Sequence, residues 1–252
     1  MFTSNAQATH NSGEPAVTAV IEKDGLGRPS KYRGYATNFS KLRTNYITYT
    51  GNRMTFTDSA DGFKRLEVLF NACGQPDSTS WFQPVDGTWE YAANLKFRYN
   101  SGRELTGFIA YVPVSHGIIP FETNILRDGY GNVTGIDDGG AHGTYITYDY
   151  TKPNPDLRWS RITASFPEWA AVTILDQMGM INFKTSHLPK TLQEWQGDYK
   201  FEDIYFENFV INGGKVSSYD VRRNAPGSPD HGAFQYTITA AWTCSNAWPH
   251  GK

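Results

Sequence analysis

Apolar and polar residues alternate with period two along much of the chain. In GAFQYTITAAWT, Phe234, Tyr236, Ile238 and Trp242 point one way and Gln235, Thr237, Thr239 and Thr243 the other, as in a strand with one wet face. WEYAANLKFRYN and RELTGFIAYVPV meet across Ser101-Gly102, and DIYFENFVI meets KVSSYDVRR across Asn212-Gly213-Gly214. NYITYT turns into RMTFTD near Gly51-Asn52, and FETNILRD turns through Gly129-Tyr130-Gly131 into NVTGI. KYRGYATNF, GTYITYDYT and RWSRITASF add further strands. About ten short strands with Gly, Pro and Asn punctuation predict an all-β fold, an antiparallel jelly-roll-like β-sandwich.

Three short helices are expected beside the strands. Ser165-Phe-Pro-Glu168 reads as a capping box, followed by Trp169, Val172, Leu175 and Met178 on one face and a stop at Gly179. Ser59 to Cys73 places Phe63, Leu66, Leu69 and Phe70 at helical spacing, with Asp58 or Ser59 as cap and Gly74 as terminator. Pro189 to Gln196 is the third. The shared YITY of Tyr46–Tyr49 and Tyr145–Tyr148 is accounted for by Tyr/Thr composition, so no internal repeat is expected.

Two strands break the alternation. KFEDIYFENFVING, Lys200 to Gly213, puts Phe201, Tyr205, Phe209 and Ile211 on one face and Ile204, Phe206 and Val210 on the other. RELTGFIAYVPV is likewise apolar on both sides. A sandwich has one inner side, so the outer faces of these strands need a helix, a loop or another subunit. Phe2, Tyr205, Phe206 and Phe209 are therefore the candidate assembly contacts. The polar start, MFTSNAQATHNSGEP, opens an extended arm over residues 1–30, with a single β-sandwich domain over 31–252.

Charge narrows the partners. The chain has 23 Lys+Arg against 25 Asp+Glu, so it lacks the basic footprint of a nucleic-acid or anionic-membrane binder. Aromatics make up 15% and charged residues 19%, the direction in which interfaces depart from ordinary surface. The start has neither a basic nor an apolar signal region, and no run approaches the roughly 18 apolar residues of a transmembrane helix. Cys73 and Cys244 then read as two unpaired, buried thiols in a reducing compartment.

No catalytic motif stands out, and no cofactor is expected. Glu202 and Glu207, five apart on one strand, face opposite sides and cannot form a glycosidase pair. Glu90, Glu104 and Glu122 could pair across strands without any motif selecting them, and His116, Arg98 and Tyr111 offer the residue types of a polysaccharide lyase. In GIDDGGAHGTY, Asp137, Asp138 and His142 are possible metal ligands, but their spacing fits neither an EF-hand nor a zinc site, and a Gly-rich turn is the simpler reading.

In length, Tyr-rich strands and the late aromatic strand YKFEDIYFENFVI followed by a Gly/Asn/Tyr-rich return, the chain resembles cypovirus polyhedrins. That resemblance implies a non-enzymatic, self-assembling viral structural protein, the crystalline matrix of occlusion bodies in the cytoplasm of an infected cell. Its partners would be itself and virus particles. Phenols ionise above about pH 10, so an assembly built on tyrosines would be released at alkaline pH. A virion or phage-tail component is the alternative within that class, and a carbohydrate-active jelly-roll enzyme or lectin the alternative outside it.

Overall fold

The computed structural model describes residues 2–9, 20–34, 43–85, 88–139, 142–155, 167–181, 185–224 and 234–244. Its strands are β1 (Phe2–Thr9), β2 (Val20–Lys23), β3 (Pro29–Gly34), β4 (Arg43–Thr50), β5 (Arg53–Asp58), β6 (Lys64–Phe70), β7 (Pro76–Val85) and β8 (Thr88–Tyr99). They continue as β9 (Leu105–Val114), β10 (Gly117–Arg127), β11 (Val133–Asp137) and β12 (His142–Pro153). After one helix, α1 (Pro167–Gln177), come β13 (His187–Gln196), β14 (Tyr199–Asn212), β15 (Lys215–Asn224) and β16 (Phe234–Cys244).

The protein is all-β, but the expected two-sheet sandwich is replaced by one antiparallel sheet of sixteen strands. From β2 to β16 every strand pairs with its neighbours in sequence, with no Greek-key crossover, and β1 adds itself beyond β16. The segment expected as an arm thus contributes β1 and β2 to the same sheet. The two edge strands come within 8 Å (Cα–Cα) of one another, yet no ladder joins them among the described residues, so the sheet curls round while its described hydrogen bonding stays open.

What the curled sheet encloses is apolar. Tyr32, Met54, Phe56, Leu66, Phe108 and Leu192 belong to one continuous buried cluster that takes residues from β2 to β15. The helix lies inside this cluster: Ala171, Val172, Ile174, Leu175 and Asp176 are all buried. At 100° per residue they span roughly 200° of the helix circumference, far more than the stripe of a helix resting on a surface. The Tyr32 hydroxyl donates to Gln177 Oε1 (2.9 Å), tying the helix end to β3. The predicted stop is also where the sequence placed it: Gly179 has φ 74° and its N–H reaches the Asp176 carbonyl. Ser165 and Phe166 of the expected capping box lie outside the described residues.

The two other expected helices are strands. In β6, Leu66 and Val68 alternate into the core, and backbone partners on β5 and β7 take the place of a helical ladder. Asp58 does cap, but it caps a turn: its Oδ1 accepts the Ala60 N–H and its Oδ2 accepts from Arg65 at 2.7 Å, both charges being buried. β13 is held between β12 and β14, and Pro189 is accommodated at a register shift where no ladder bond is required of it.

Four hairpin turns at one rim are copies of one design. Each starts at an Asx residue, namely Asp24, Asn71, Asn100 and Asp128. In all four, the first residue's N–H bonds the fifth residue's carbonyl, and the fourth residue's N–H bonds the first residue's carbonyl. The Asx side-chain oxygen accepts the N–H four residues on, at 2.9–3.0 Å. The fourth residue is left-handed each time: Gly27, Gly74, Arg103 and Gly131, with φ of 77°, 75°, 66° and 80°. A register shift precedes every one of these turns.

A tyrosine on a nearby strand closes three of these units. Tyr49, Tyr99 and Tyr148 donate their hydroxyls to the carbonyls of Pro29, Pro76 and Val133 at 2.9, 2.8 and 2.6 Å. Each acceptor is the first residue after a turn. Tyr49 and Tyr148 are the last residues of the two YITY runs, whose tyrosines Tyr46 and Tyr145 are both exposed and whose isoleucines Ile47 and Ile146 are both buried. The likeness that composition alone was expected to explain is a structural repeat.

Burial raises all three phenols, Tyr49 to about 12 and the other two further. A raised folded value means the native state holds protons that the unfolded chain has lost, so stability is full below about pH 10 and falls as pH rises towards the folded values. Thermal melting from pH 8 to 11.5 should therefore be level at first and decline above about 10. Phe at positions 49, 99 and 148 should each lower stability by about 0.5–1.5 kcal/mol at neutral pH and make the alkaline decline shallower. Arg103→Gly should raise stability by about 0.5–1 kcal/mol in urea unfolding, since it removes a Cβ from a left-handed position that three sister turns fill with glycine.

Candidate functional site

Strands β9 and β10 part from their neighbours towards one rim. β8 pairs with β9 only as far as Tyr111, opposite Asn94, and beyond that point runs on to Thr88 paired with β7, while β11 accompanies β10 only from Asn124 to Arg127. Among the described residues, Gly117–Thr123 therefore pair with β9 alone, and Val112–Val114 with β10 alone. Seven residues at about 3.3 Å each make this free stretch of β10 roughly 20 Å long. It forms a two-stranded arm with both backbone edges open near its tip.

The arm is apolar on both faces. All of Pro113–Glu122 is exposed, including Val114, Ile118 (62%), Ile119 and Phe121. Between Tyr111 and Phe121 the one ionisable side chain is His116, in the turn. A lone hairpin is marginal in water and an open edge invites pairing, so this arm is costly to leave uncovered.

A clamp holds its base. Arg98 of β8 reaches across β9 to bond Glu122, the Thr123 carbonyl (3.2 Å) and Asn124 Oδ1 (2.9 Å) on β10. Gly107, paired opposite Arg98, makes the crossing possible: a Cβ there would meet the Thr123 carbonyl at 2.3 Å and Arg98 Nη2 at 2.6 Å.

The opposite rim carries the second exposed apolar feature. Past Tyr205, β14 has no partner on its β13 side among the described residues. The stretch Glu207–Asn212 bonds β15 alone and exposes Val210 (46%) and Ile211 (47%). Asn208 is left-handed at φ 52°, and the register shifts between Glu207 and Val210. That bulge explains why period-two reading misassigned the faces of this strand. Phe206 is a core residue 6.2 Å from Tyr219, and Phe209 stacks on the same ring at 5.3 Å. Tyr205 faces outward, where the Arg222 guanidinium covers it at 4.0 Å. The side chain of Phe2 lies outside the described residues.

The chemical candidates are not brought together. Tyr111 lies four residues along the pairing from Gly107, the partner of Arg98, and His116 is beyond it in the turn. Arg98 is committed to its clamp. Glu104 accepts from Asn100 Nδ2 within a rim turn, Glu122 binds Arg98 at the base of the arm, Glu202 is buried and Glu207 pairs with Arg222. The side chain of Glu90 is outside the described residues. Asp137 closes its own turn by accepting the Gly139 N–H, and His142 has no described side chain. Among the described residues no three metal-binding side chains converge.

No protein-family model matches the chain, and no curated protein does. Among solved structures it is similar to a porin-like protein from Bacteroides uniformis, with TM-score 0.67 and 15% identity over 96% of this chain and 98% of that one. A Photorhabdus luminescens Tc holotoxin pore matches at TM-score 0.33, 10% identity, over 93% of this chain and 14% of the toxin chain, which is too remote to carry an argument. The likeness to the porin-like protein is one of fold. A transmembrane barrel turns an apolar band outward and keeps a polar interior, whereas here the interior is the hydrophobic core and the outer face carries Arg53–Glu67, Lys64–Glu67 and Arg222–Glu207 ion pairs.

Gly107→Ala should push the Thr123 backbone and Arg98 away, breaking the clamp and loosening the β9–β10 pairing at the base of the arm. Limited proteolysis should then cut between Val112 and Thr123 several-fold faster than in the parent, and the melting temperature should fall.

Proposed function

We propose that the protein is a non-enzymatic, self-associating protein whose copies join head to tail, the β9–β10 arm of one lying along the free β14 edge of the next. The observation that carries this reading is the arm, with two apolar faces and, among the described residues, no ladder partner on either outer edge near its tip. The arm supplies backbone donors and acceptors with apolar side chains on both sides, and the Glu207–Asn212 edge offers the same in return, which is strand addition between molecules. Connections from odd to even strands and from even to odd strands lie at opposite rims, so the two surfaces sit at opposite ends of the molecule. A contact between unlike surfaces at opposite ends is heterologous and propagates into filaments or lattices instead of closing as a dimer.

This keeps the self-assembly expected from the sequence and moves its contact to other residues. It also sets aside a membrane span, because the outward charges would have to enter lipid. The likeness to the porin-like fold says nothing of a polyhedrin, and neither the occlusion body nor the virus is part of the proposal.

Sedimentation of the parent protein should give masses of several protomers, rising with concentration. Phe121→Asp on the arm and Val210→Asp on the edge should each give a folded monomer, because a charge forced into a dry contact costs several kcal/mol unless paired. Mixing the two variants should restore a heterodimer and nothing larger, since each retains one good surface. A parent protein that stays monomeric, or an arm that is protected only by added lipid vesicles, would overturn the reading.

A further inference from the structure

The turn at Asp128 differs from its three sisters by carrying a cluster of rings. Tyr130, Tyr150 and His187 stand 5.2–5.5 Å apart, centroid to centroid, at interplanar angles of 45°, 60° and 79°. Tyr130 is 66% exposed and Tyr150 52%. They are nonetheless fixed in place. Asp128 Oδ1 accepts the Tyr130 N–H, and its Oδ2 accepts both the Tyr150 hydroxyl and Asn132 Nδ2, each at 2.9 Å. The Ser186 hydroxyl donates to the Tyr130 carbonyl at 2.8 Å.

Asn132, wholly buried, sets the imidazole. Its Oδ1 accepts the N–H groups of Ser186 (2.7 Å) and His187 (3.0 Å). That fixes its amide orientation, so Nδ2 is the donor in the 3.1 Å contact with His187 Nδ1. The neutral ring then carries its proton on Nε2.

The repeat provides an internal control on what the fold needs. At the position of Tyr130 the sister turns have Leu26, Cys73 and Gly102, and two residues beyond Tyr49 and Tyr99, where Tyr150 follows Tyr148, stand Gly51 and Ser101. The same turn therefore closes without any of these rings.

We infer that the Tyr130–Tyr150–His187 cluster is a binding platform for a pyranose unit of a neutral saccharide. The exposed Tyr130 ring, its backbone held by Asp128 and Ser186 and its face set against Tyr150 and His187, receives the apolar C–H face of a sugar at reduced entropic cost. The Tyr130 hydroxyl and the His187 Nε2–H are the polar groups beside it for sugar hydroxyls. Competing ligand classes fit less well. The rings touch one another, so no gap remains in which to enclose a quaternary ammonium. The Asp128 carboxylate repels phosphate and nucleic acid, and the neighbouring Arg127 guanidinium is part-buried and bonded to the Gly131 carbonyl (2.8 Å). An apolar peptide side chain would desolvate the phenol and imidazole donors without replacing their bonds.

The test is independent of self-association if it is run on the Phe121→Asp protein. That variant is applied to an array of neutral gluco-, manno-, galacto- and N-acetylglucosamine oligosaccharides, and the strongest is titrated by calorimetry. Tyr130→Ala and Tyr150→Ala should each weaken binding about tenfold or more. Tyr130→Phe should retain most of it, and all three should melt at the parent temperature, as the sister turns imply. The inference is overturned if no oligosaccharide binds above the level of the Tyr130→Ala, Tyr150→Ala double variant, or if binding is indifferent to these substitutions. It is likewise overturned if tetramethylammonium perturbs the two tyrosines while sugars do not.

Discussion

One short hydrogen-bonded device organises this protein: an Asp or Asn side chain that accepts the backbone N–H four residues ahead and so closes a five-residue turn. It occurs at Asp24, Asn71, Asn100 and Asp128. A hairpin slipped by one residue would turn its core face to solvent, so fixing the turn fixes which side chains enter the interior. The tyrosine bonds of Tyr49, Tyr99 and Tyr148 then tie other strands to the residues just past three of these turns. Register is thus specified locally at these four hairpins.

Much of this was legible. The all-β class, four of the hairpins with their turns, and the helix up to Gly179 followed from alternation and turn chemistry. The sandwich did not, because alternation shows that a strand has an inside without showing what lies there; a helix wrapped by one sheet gives the same signal as a second sheet. Ser59 to Cys73 misled because Phe63, Leu66, Leu69 and Phe70 fit helical spacing while Leu66 and Val68 also fit a strand, and only the ladder partners on β5 and β7 decide between them. Composition alone gives no sign that YITY repeats, because what makes Tyr49 and Tyr148 equivalent is an acceptor carbonyl on another strand.

The surfaces were visible only in part. The sequence marked RELTGFIAYVPV as needing cover on its outer side, and most of the arm's first strand lies there. It could not show that the β8–β9 ladder ends at Tyr111 and that β11 accompanies β10 only from Asn124. In β14 the bulge at Asn208 moves Phe209 inward and leaves Val210 and Ile211 outside, a change of face that no regular period contains. The ring cluster at Asp128 is hidden differently: Tyr130 and Tyr150 read as ordinary loop and strand tyrosines until they are seen to meet each other and His187, distant in sequence.

The enclosed helix also bears on how such a molecule could grow. Since consecutive strands are neighbours and each hairpin carries its own turn, inserting or deleting one hairpin would alter the circumference and leave the connectivity unchanged, much as repeat arrays tolerate changes in copy number. What a hairpin cannot supply is filling for the widened or narrowed interior, where Ile174 and Leu175 are already fully buried. The helix therefore acts as a gauge: strand number is free to drift only as far as the girth of the segment between β12 and β13 drifts with it.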